Sequence, residues 1–224
     1  MTIAENIARI RANMAAAARE AGRDPKEILL VGASKMNDAA ACREAVAAGI
    51  DALGENRVQE MVQKLEQHAY DGAPLHFIGH LQRNKVKQVV GHVALIQSVG
   101  SLELLDEIEK VAAARGLVQD ILLEVNIGRE AAKSGFAPEK VLPAAEAALE
   151  RTHVRVRGLM TIPPADAQRD ANFRYFQEVQ ALYVDMNQKL FHNELEYLSM
   201  GMSGDYEDAI RAGATMVQIG RAHV

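Results

Sequence analysis

Glu27-Ile-Leu-Leu-Val-Gly-Ala-Ser34 is an apolar, strand-like run that stops abruptly at a cation, Lys35. Similar runs recur along the chain with helical segments between them. We predict strands near 28–34, 50–54, 75–80, 94–99, 120–126, 154–161, 196–200 and 215–220. We predict helices near 2–21, 38–48, 57–69, 83–91, 101–115, 138–150, 167–190 and 204–212.

This alternation of strands and helices decides the fold class. Helical crossovers join parallel strands, and eight such strands close naturally into a barrel. We therefore predict an α/β fold, a single (β/α)8 TIM-type barrel, forming one domain over residues 1–224. The chain stops soon after the eighth strand, so the additional N-terminal helix is expected to replace the missing eighth outer helix. A doubly wound open sheet has the same alternation and is the alternative, but the strand count favours the barrel.

Composition excludes several classes of protein. Of 224 residues, 49% are hydrophobic and 25% charged, as in ordinary globular proteins. The formal net charge of −5 argues against nucleic-acid binding, which normally needs a basic surplus. No apolar run approaches the roughly 20 residues that span a bilayer.

The N-terminal segment reads as a folded helix rather than a targeting peptide. Thr2-Ile-Ala-Glu5 has the form of a capping box, and apolar residues follow at helical spacing. The single cysteine, Cys42, cannot form an internal disulfide and is expected to be a small buried side chain. A reducing cytoplasm fits that cysteine usage.

Candidate site residues follow the predicted strands, because barrel sites form at the carboxyl-terminal ends of strands. Lys35 is the most informative of them, since an amine that loses solvation at a barrel rim can attack an aldehyde. The alternative interpretation is that Lys35 is a solvent-facing lysine at the end of a strand, with no chemical role. Asn56, after the second strand, could donate to a phenolic oxygen of a ligand ring or could simply cap the next helix. We predict no metal site.

Gly201-Met-Ser-Gly-Asp205 resembles a phosphate-binding loop. We expect Ser203 to be the N-cap of helix 204–212 and, with Gly220-Arg221 after strand eight, to bind a phosphate. An ordinary serine cap is the alternative. Together, Lys35 and this loop suggest a phosphorylated aldehyde held as a Schiff base, with pyridoxal 5′-phosphate (PLP) as the first candidate.

Motifs along nearly the whole chain resemble those of the pyridoxal phosphate homeostasis protein family. They are Val31-Gly-Ala-Ser-Lys35, Gly54-Glu-Asn-Arg-Val-Gln-Glu60, His76-Phe-Ile-Gly79, Lys133-Ser-Gly135, Arg157-Gly-Leu-Met160 and Leu198-Ser-Met-Gly-Met-Ser203. The resemblance implies a barrel similar to the N-terminal domain of alanine racemase, with PLP on Lys35. It further implies a protein that keeps free PLP low and passes it to apoenzymes, without established turnover.

The same resemblance implies the remaining cofactor contacts. Asn56 and Met160 would line the ring pocket, and the phosphate would be surrounded by Ser199, Ser203, Gly220 and Arg221. Where relatives have an arginine facing the pyridine nitrogen, this chain has Gln218, which could still donate to an unprotonated nitrogen although the charge is lost. Arg221, on the next turn, is the alternative partner for that nitrogen. The chain also finishes with Gly220-Arg-Ala-His-Val224, where relatives usually continue with an Ile-Phe-Gly-like segment.

An enzyme is the alternative to a carrier: a small PLP-dependent amino-acid racemase with Lys35 as a base. Against it, PLP withdraws electrons best when a carboxylate keeps its ring nitrogen protonated, and glutamine cannot do that. Racemases also take a second acid/base group, a tyrosine, from another domain, for which this chain has no room. A Schiff-base aldolase on the same barrel is a third reading. We expect a monomer or weak dimer.

Overall fold

The computed structural model describes residues 2–164 and 169–220. Eight parallel strands pair in chain order and close on themselves, with the first strand against the eighth. They are β1 (Leu29–Ala33), β2 (Ala52–Glu55), β3 (Leu75–Phe77), β4 (Leu95–Val99), β5 (Gln119–Val125), β6 (Val154–Thr161), β7 (Tyr197–Ser199) and β8 (Met216–Ile219). The closed barrel confirms the predicted fold class and excludes the open sheet.

Each of the seven crossovers carries an α-helix, and an eighth helix precedes the barrel. The helices are α1 (Ile3–Glu20), α2 (Ala39–Ala47), α3 (Val58–Glu66), α4 (Val86–Val89), α5 (Leu102–Arg115), α6 (Val141–Leu149), α7 (Arg169–Leu190) and α8 (Tyr206–Arg211). Helix α1 packs between α2 and α8, where Asn13 Nδ2 donates to the Tyr206 hydroxyl at 3.1 Å. The first helix therefore takes the eighth outer position, as predicted.

The termini of several helices also match the sequence signals. Thr2 and Glu5 form the predicted capping box at the start of α1. Gly49, Gly116 and Gly213 follow α2, α5 and α8 with φ of 81°, 64° and 113°. Glycine adopts these left-handed conformations without the steric cost of a Cβ, so each ends its helix cleanly.

Several predicted boundaries are wrong, and three of them bear on the site. The third strand ends at Phe77 rather than near residue 80. The predicted helix over 83–91 is a 3₁₀ turn, Arg83–Lys85, followed by the four-residue α4, because the chain turns to φ 77° at Gly91. The predicted helix over 204–212 begins only at Tyr206.

Alternation along the strands divides the core into two parts. In β8, Met216 belongs to the small apolar cluster inside the barrel, whereas Val217 and Ile219 belong to the larger core between barrel and helices. Cys42 is buried in that larger core, as expected. Within the described residues, no helix is long and apolar enough to cross a membrane.

Candidate functional site

Lys35 lies in a turn just beyond β1, at the carboxyl-terminal mouth of the barrel. Asn37 N–H closes this turn by donating to the Ser34 carbonyl at 3.1 Å. Met36 has a φ of 62°, in the left-handed region that few non-glycine residues adopt. The Lys35 side chain is exposed. The expected loss of solvation is therefore wrong, because the turn that holds Lys35 leaves this residue exposed.

An apolar layer fills the barrel interior, and Met160 is part of it. Met160 is fully buried, and in register it lies between Glu124 of β5 and Ser199 of β7. The other members of the layer are Val31, Ala52, Leu95, Leu122 and Met216. Met160 thus lies near the carboxyl-terminal end of β6 and helps to form an apolar floor for the mouth.

Four polar side chains form an interior network beside this floor: His76, Gln97, Ser199 and Gln218. Ser199 Oγ donates to Gln97 Oε1 at 2.6 Å, and Gln218 Nε2 donates to the same oxygen at 3.0 Å. Gln218 Nε2 also donates to Ser199 Oγ at 3.2 Å. These contacts join strands β4, β7 and β8 across the barrel, so Ser199 and Gln218 are held side by side.

A neutral His76 completes this network. Burial lowers the His76 pKa from 6.5 to about 4, so the imidazole is neutral at neutral pH. Gln97 Nε2 lies 3.0 Å from His76 Nδ1 and 3.1 Å from the Met216 sulfur, and both atoms can accept. The Gln97 oxygen therefore faces Ser199 and Gln218. Both N–H bonds of the Gln218 amide are directed into the network rather than toward the mouth.

The loops after β7 and β8 meet at Ser203. Its Oγ accepts from Gly220 N–H at 3.0 Å, which ties the two loops together. Ser203 is not the N-cap of α8, however: that position belongs to Asp205, whose Oδ1 accepts from Met202 N–H at 2.7 Å. The predicted cap is wrong because the chain makes one more turn before α8 begins. Arg221 lies outside the described residues.

Gly201 allows this loop to pack tightly under α8. It has a φ of 94°, and a Cβ there would come 2.5 Å from Ala209 Cβ and 2.9 Å from Tyr206 Cα. No other residue type fits both the conformation and the space. At Gly204, by contrast, a Cβ would meet nothing within 4 Å, so this side of the loop is open.

Asn56 follows β2 at the same mouth. Its Oδ1 is buried and has no hydrogen-bond partner among the described residues. The segment that follows β3 approaches closely there, since a Cβ at Gly79 would overlap the Asn56 carbonyl oxygen. The residue does not cap α3, whose N-cap is Arg57. A buried amide oxygen without a partner carries a free-energy cost that a bound donor would remove.

A cavity of about 690 Å³ opens beyond the ends of β3, β4 and β5. His80, Ser98, Lys133 and Ser134 are among its lining residues, and Lys35 is not. Lys133 is paired with Glu130 at 2.7 Å. Ser134 Oγ donates at 2.9 Å to Glu124, a carboxyl whose pKa is raised by burial. None of the residues that line this cavity belongs to β1 or to the turn that holds Lys35.

Comparison with known proteins decides the family. Residues 6–224 match the family model of the N-terminal domain of alanine racemase. The pyridoxal phosphate homeostasis protein of Aquifex aeolicus is 41% identical over 220 residues, which cover 98% of this chain and 96% of the relative. The protein of that name from Pseudomonas aeruginosa is 42% identical over 221 residues, covering 99% and 94%. The chain belongs to the pyridoxal phosphate homeostasis protein family.

Solved structures agree with this family and its barrel. PipY of Synechococcus elongatus PCC7942, determined with PLP bound, matches with a TM-score of 0.84 and 30% identity over 98% of both chains. Alanine racemase of Clostridium difficile 630 matches with a TM-score of 0.70 at 16% identity, over 94% of this chain and 55% of the racemase. At that identity the racemase shares the fold alone.

The sequence did not predict a buried pair of charged residues in the βα unit next to Lys35. Glu55 is fully buried and Lys64 nearly so, and the two form an ion pair. The signal was available: Lys64 lies on the same face of α3 as the buried Met61, where an apolar residue is expected. A charged residue at such a position normally has a buried partner.

Proposed function

We propose that this chain is a PLP-binding homeostasis protein that holds the cofactor on Lys35 and releases it to apoenzymes. The observation that carries the proposal is the exposed amine of Lys35 at the barrel mouth, in a member of a family that includes PLP-bound PipY. The Lys35 Nζ adds to the aldehyde carbon of PLP, and the aldehyde oxygen leaves as water. Hydrolysis of this Schiff base reverses the step and frees the cofactor.

The residues around the mouth fit such a ligand. The Asn56 amide has an acceptor oxygen without a partner, suited to a donor on the ring side of the ligand. The loops joined by Ser203 and Gly220 have an open side for the phosphate. Met160 lies fully buried in the apolar floor of the mouth, so we propose that it shapes the ring pocket from below. Arg221 belongs to this proposal from its sequence position alone.

Two members of the predicted contact set would act indirectly. Ser199 and Gln218 hydrogen-bond to each other and to Gln97, inside the barrel. We propose that Ser199 supports the phosphate loop from below. Gln218 would leave the ring nitrogen with no charged partner, because the network around it contains only neutral groups.

This neutral surrounding favours a carrier over a racemase. When bound, PLP supplies an electron-withdrawing ring, and that withdrawal is strongest when a carboxylate protonates the ring nitrogen. Gln218, Gln97 and neutral His76 cannot take that role. A carrier needs only reversible attachment, for which an exposed lysine is suited. We further propose a cytoplasmic protein that works as a monomer or weak dimer.

Titration of PLP into the purified protein tests this function. The wild type should develop the near-ultraviolet and visible absorbance of a C=N bond, and Lys35→Ala should not. Lys26→Ala, at another lysine near β1, is the control and should behave as wild type. Loaded wild type should restore an apo PLP-dependent enzyme and should not convert an L-amino acid to its D form. Sustained racemisation that is lost in Lys35→Ala would establish the enzyme instead.

A further inference from the structure

The two residues that flank Lys35 are both held by side chains of the next βα unit. Ser34, before Lys35, contacts Glu55 of β2 and Lys64 of α3. Met36, after Lys35, contacts Glu60 of α3. We call these three side chains, Glu55, Glu60 and Lys64, the α3 clamp. No other described lysine has a comparable arrangement around its backbone among the hydrogen bonds of residues 2–164 and 169–220.

The first half of the clamp is buried. Lys64 Nζ donates to the Ser34 carbonyl at 2.7 Å and forms an ion pair with Glu55. Ser34 Oγ donates to Glu55 Oε1 at 2.8 Å, and the Tyr70 hydroxyl donates to the same oxygen at 3.0 Å. The hydroxyl and the carbonyl of Ser34 are therefore both held by side chains of the next βα unit.

The second half holds a strained residue. Glu60 Oε2 accepts from Met36 N–H at 3.0 Å, and Met36 has a φ of 62°. A left-handed conformation is unfavourable for a side chain such as methionine and persists only where neighbours impose it. Glu60 also lies 3.9 Å from Lys64 Nζ, one helical turn away. Both halves therefore meet at Lys64.

The burial of the pair argues for a positional role. Glu55 Oε2 is buried without a partner among the described residues, so the pair is not fully satisfied. Buried ion pairs often stabilise no more than apolar residues of the same size. We infer that the pair orients the backbone instead. It fixes the carbonyl and the hydroxyl of Ser34, and so restricts the path of the chain into Lys35.

We propose that the α3 clamp positions Lys35 for attachment of PLP, with Glu60 and Lys64 as positioning residues that do not touch the cofactor. This inference rests on the proposed function. Because the clamp orders Ser34, Lys35 and Met36 before the ligand binds, their loss of conformational entropy does not reduce the affinity for PLP. Without the clamp, the amine would sample many positions outside reach of the aldehyde carbon.

Glu60→Ala is the variant that tests the clamp, and Glu66→Ala on the same helix is its matched control. Glu60 is partly exposed, so its removal should leave the fold intact, and Glu66 is exposed. Without PLP, hydrogen exchange of the Met36 amide should accelerate at least tenfold in Glu60→Ala only. With PLP, affinity should fall about tenfold, as for loss of one charge-assisted hydrogen bond. Glu60→Gln keeps an acceptor and should recover most of the affinity.

Three outcomes separate the possibilities. Equal Met36 exchange and equal PLP affinity in Glu60→Ala and Glu66→Ala would overturn the clamp alone, provided that the wild type binds PLP on Lys35. Faster Met36 exchange without a loss of affinity would also overturn its positioning role. A wild type that forms no bond between Lys35 and PLP would overturn the proposed function together with this inference.

Discussion

The carbonyl oxygen of Ser34 accepts a hydrogen bond of 2.7 Å from the ammonium group of Lys64, thirty residues away in the chain. The contact is buried, and it joins the residue before Lys35 to the helix of the following βα unit. A charged donor in a nearly dry site makes a stronger hydrogen bond than a neutral one. The course of the chain into Lys35 is therefore set in part by α3, which also holds Met36 through Glu60.

Substitutions at Lys64 and Glu55 should distinguish the contribution of this ion pair to stability from its contribution to the position of Lys35. Lys64→Met leaves Glu55 buried and unpaired, which should lower the free energy of unfolding by about 3–5 kcal/mol. The double variant Glu55→Met with Lys64→Met should regain most of that stability in urea denaturation. Its PLP affinity should stay well below wild type, because Ser34 remains unclamped. Full recovery of affinity in the double variant would contradict the positioning role.

Acidification should weaken the fold through His76. The pKa of His76 is lowered by burial to about 4 from 6.5, so the unfolded chain takes up a proton before the folded chain does. Above about pH 6.5 His76 is neutral in both states and does not lower the free energy of unfolding. As the pH falls from there to about 4, protonation of the unfolded chain should lower that free energy by about 3 kcal/mol in total. Denaturation at a series of pH values measures that slope.

His76→Gln removes the titrating group and should flatten the slope in that pH range. His92→Gln, at an exposed histidine, is the control and should keep the wild-type slope. An unchanged slope in His76→Gln would mean that His76 has the same pKa in the folded and the unfolded protein, which would contradict the burial effect.

Ser203 should discriminate between PLP and pyridoxal. Ser203→Ala removes the oxygen that accepts from Gly220 N–H and that lies at the proposed phosphate position. We expect PLP affinity to fall about tenfold and pyridoxal affinity to stay unchanged, since pyridoxal has no phosphate. Calorimetric titration with both ligands makes the comparison. Equal losses for the two ligands would place Ser203 away from the phosphate.

Gln218 should matter more for stability than for PLP binding. Gln218→Ala removes two buried hydrogen bonds, to Gln97 and Ser199, and should lower the free energy of unfolding by about 1–3 kcal/mol. Gln188→Ala, at an exposed position in α7, should change stability little. PLP affinity in Gln218→Ala should fall less than about threefold. A tenfold loss would show that the amide turns toward the ring when PLP binds.

Much of the barrel could be predicted from local patterns. Strand-forming runs alternate with helical ones, and each run carries its own signal in a few consecutive residues, such as the capping box at Thr2 or Gly116 after α5. The position of Lys35 at the end of β1 followed from the same reading. The family motifs then pointed to the same residues, and the comparisons confirm the family.

Two of the failures share a physical source, since they depend on contacts between distant segments. The network of His76, Gln97, Ser199 and Gln218 draws on four strands, and no local pattern connects them. Ser203 looked like a helix cap because serine favours that position, yet its partner is Gly220 on the next loop. Helix α4 is short because of a turn at Gly91, which helix propensity alone places poorly.

The most direct test of the central claim is borohydride reduction of the PLP-loaded protein, followed by peptide mass mapping. Borohydride adds hydride to the C=N carbon and makes the bond to the lysine permanent. We predict phosphopyridoxyl mass on Lys35 as the main product, with Glu60→Ala labelled more slowly than Glu66→Ala at limiting PLP. Label spread over many surface lysines, or none at all, would contradict the account, because the barrel mouth would then not be where this chain takes PLP.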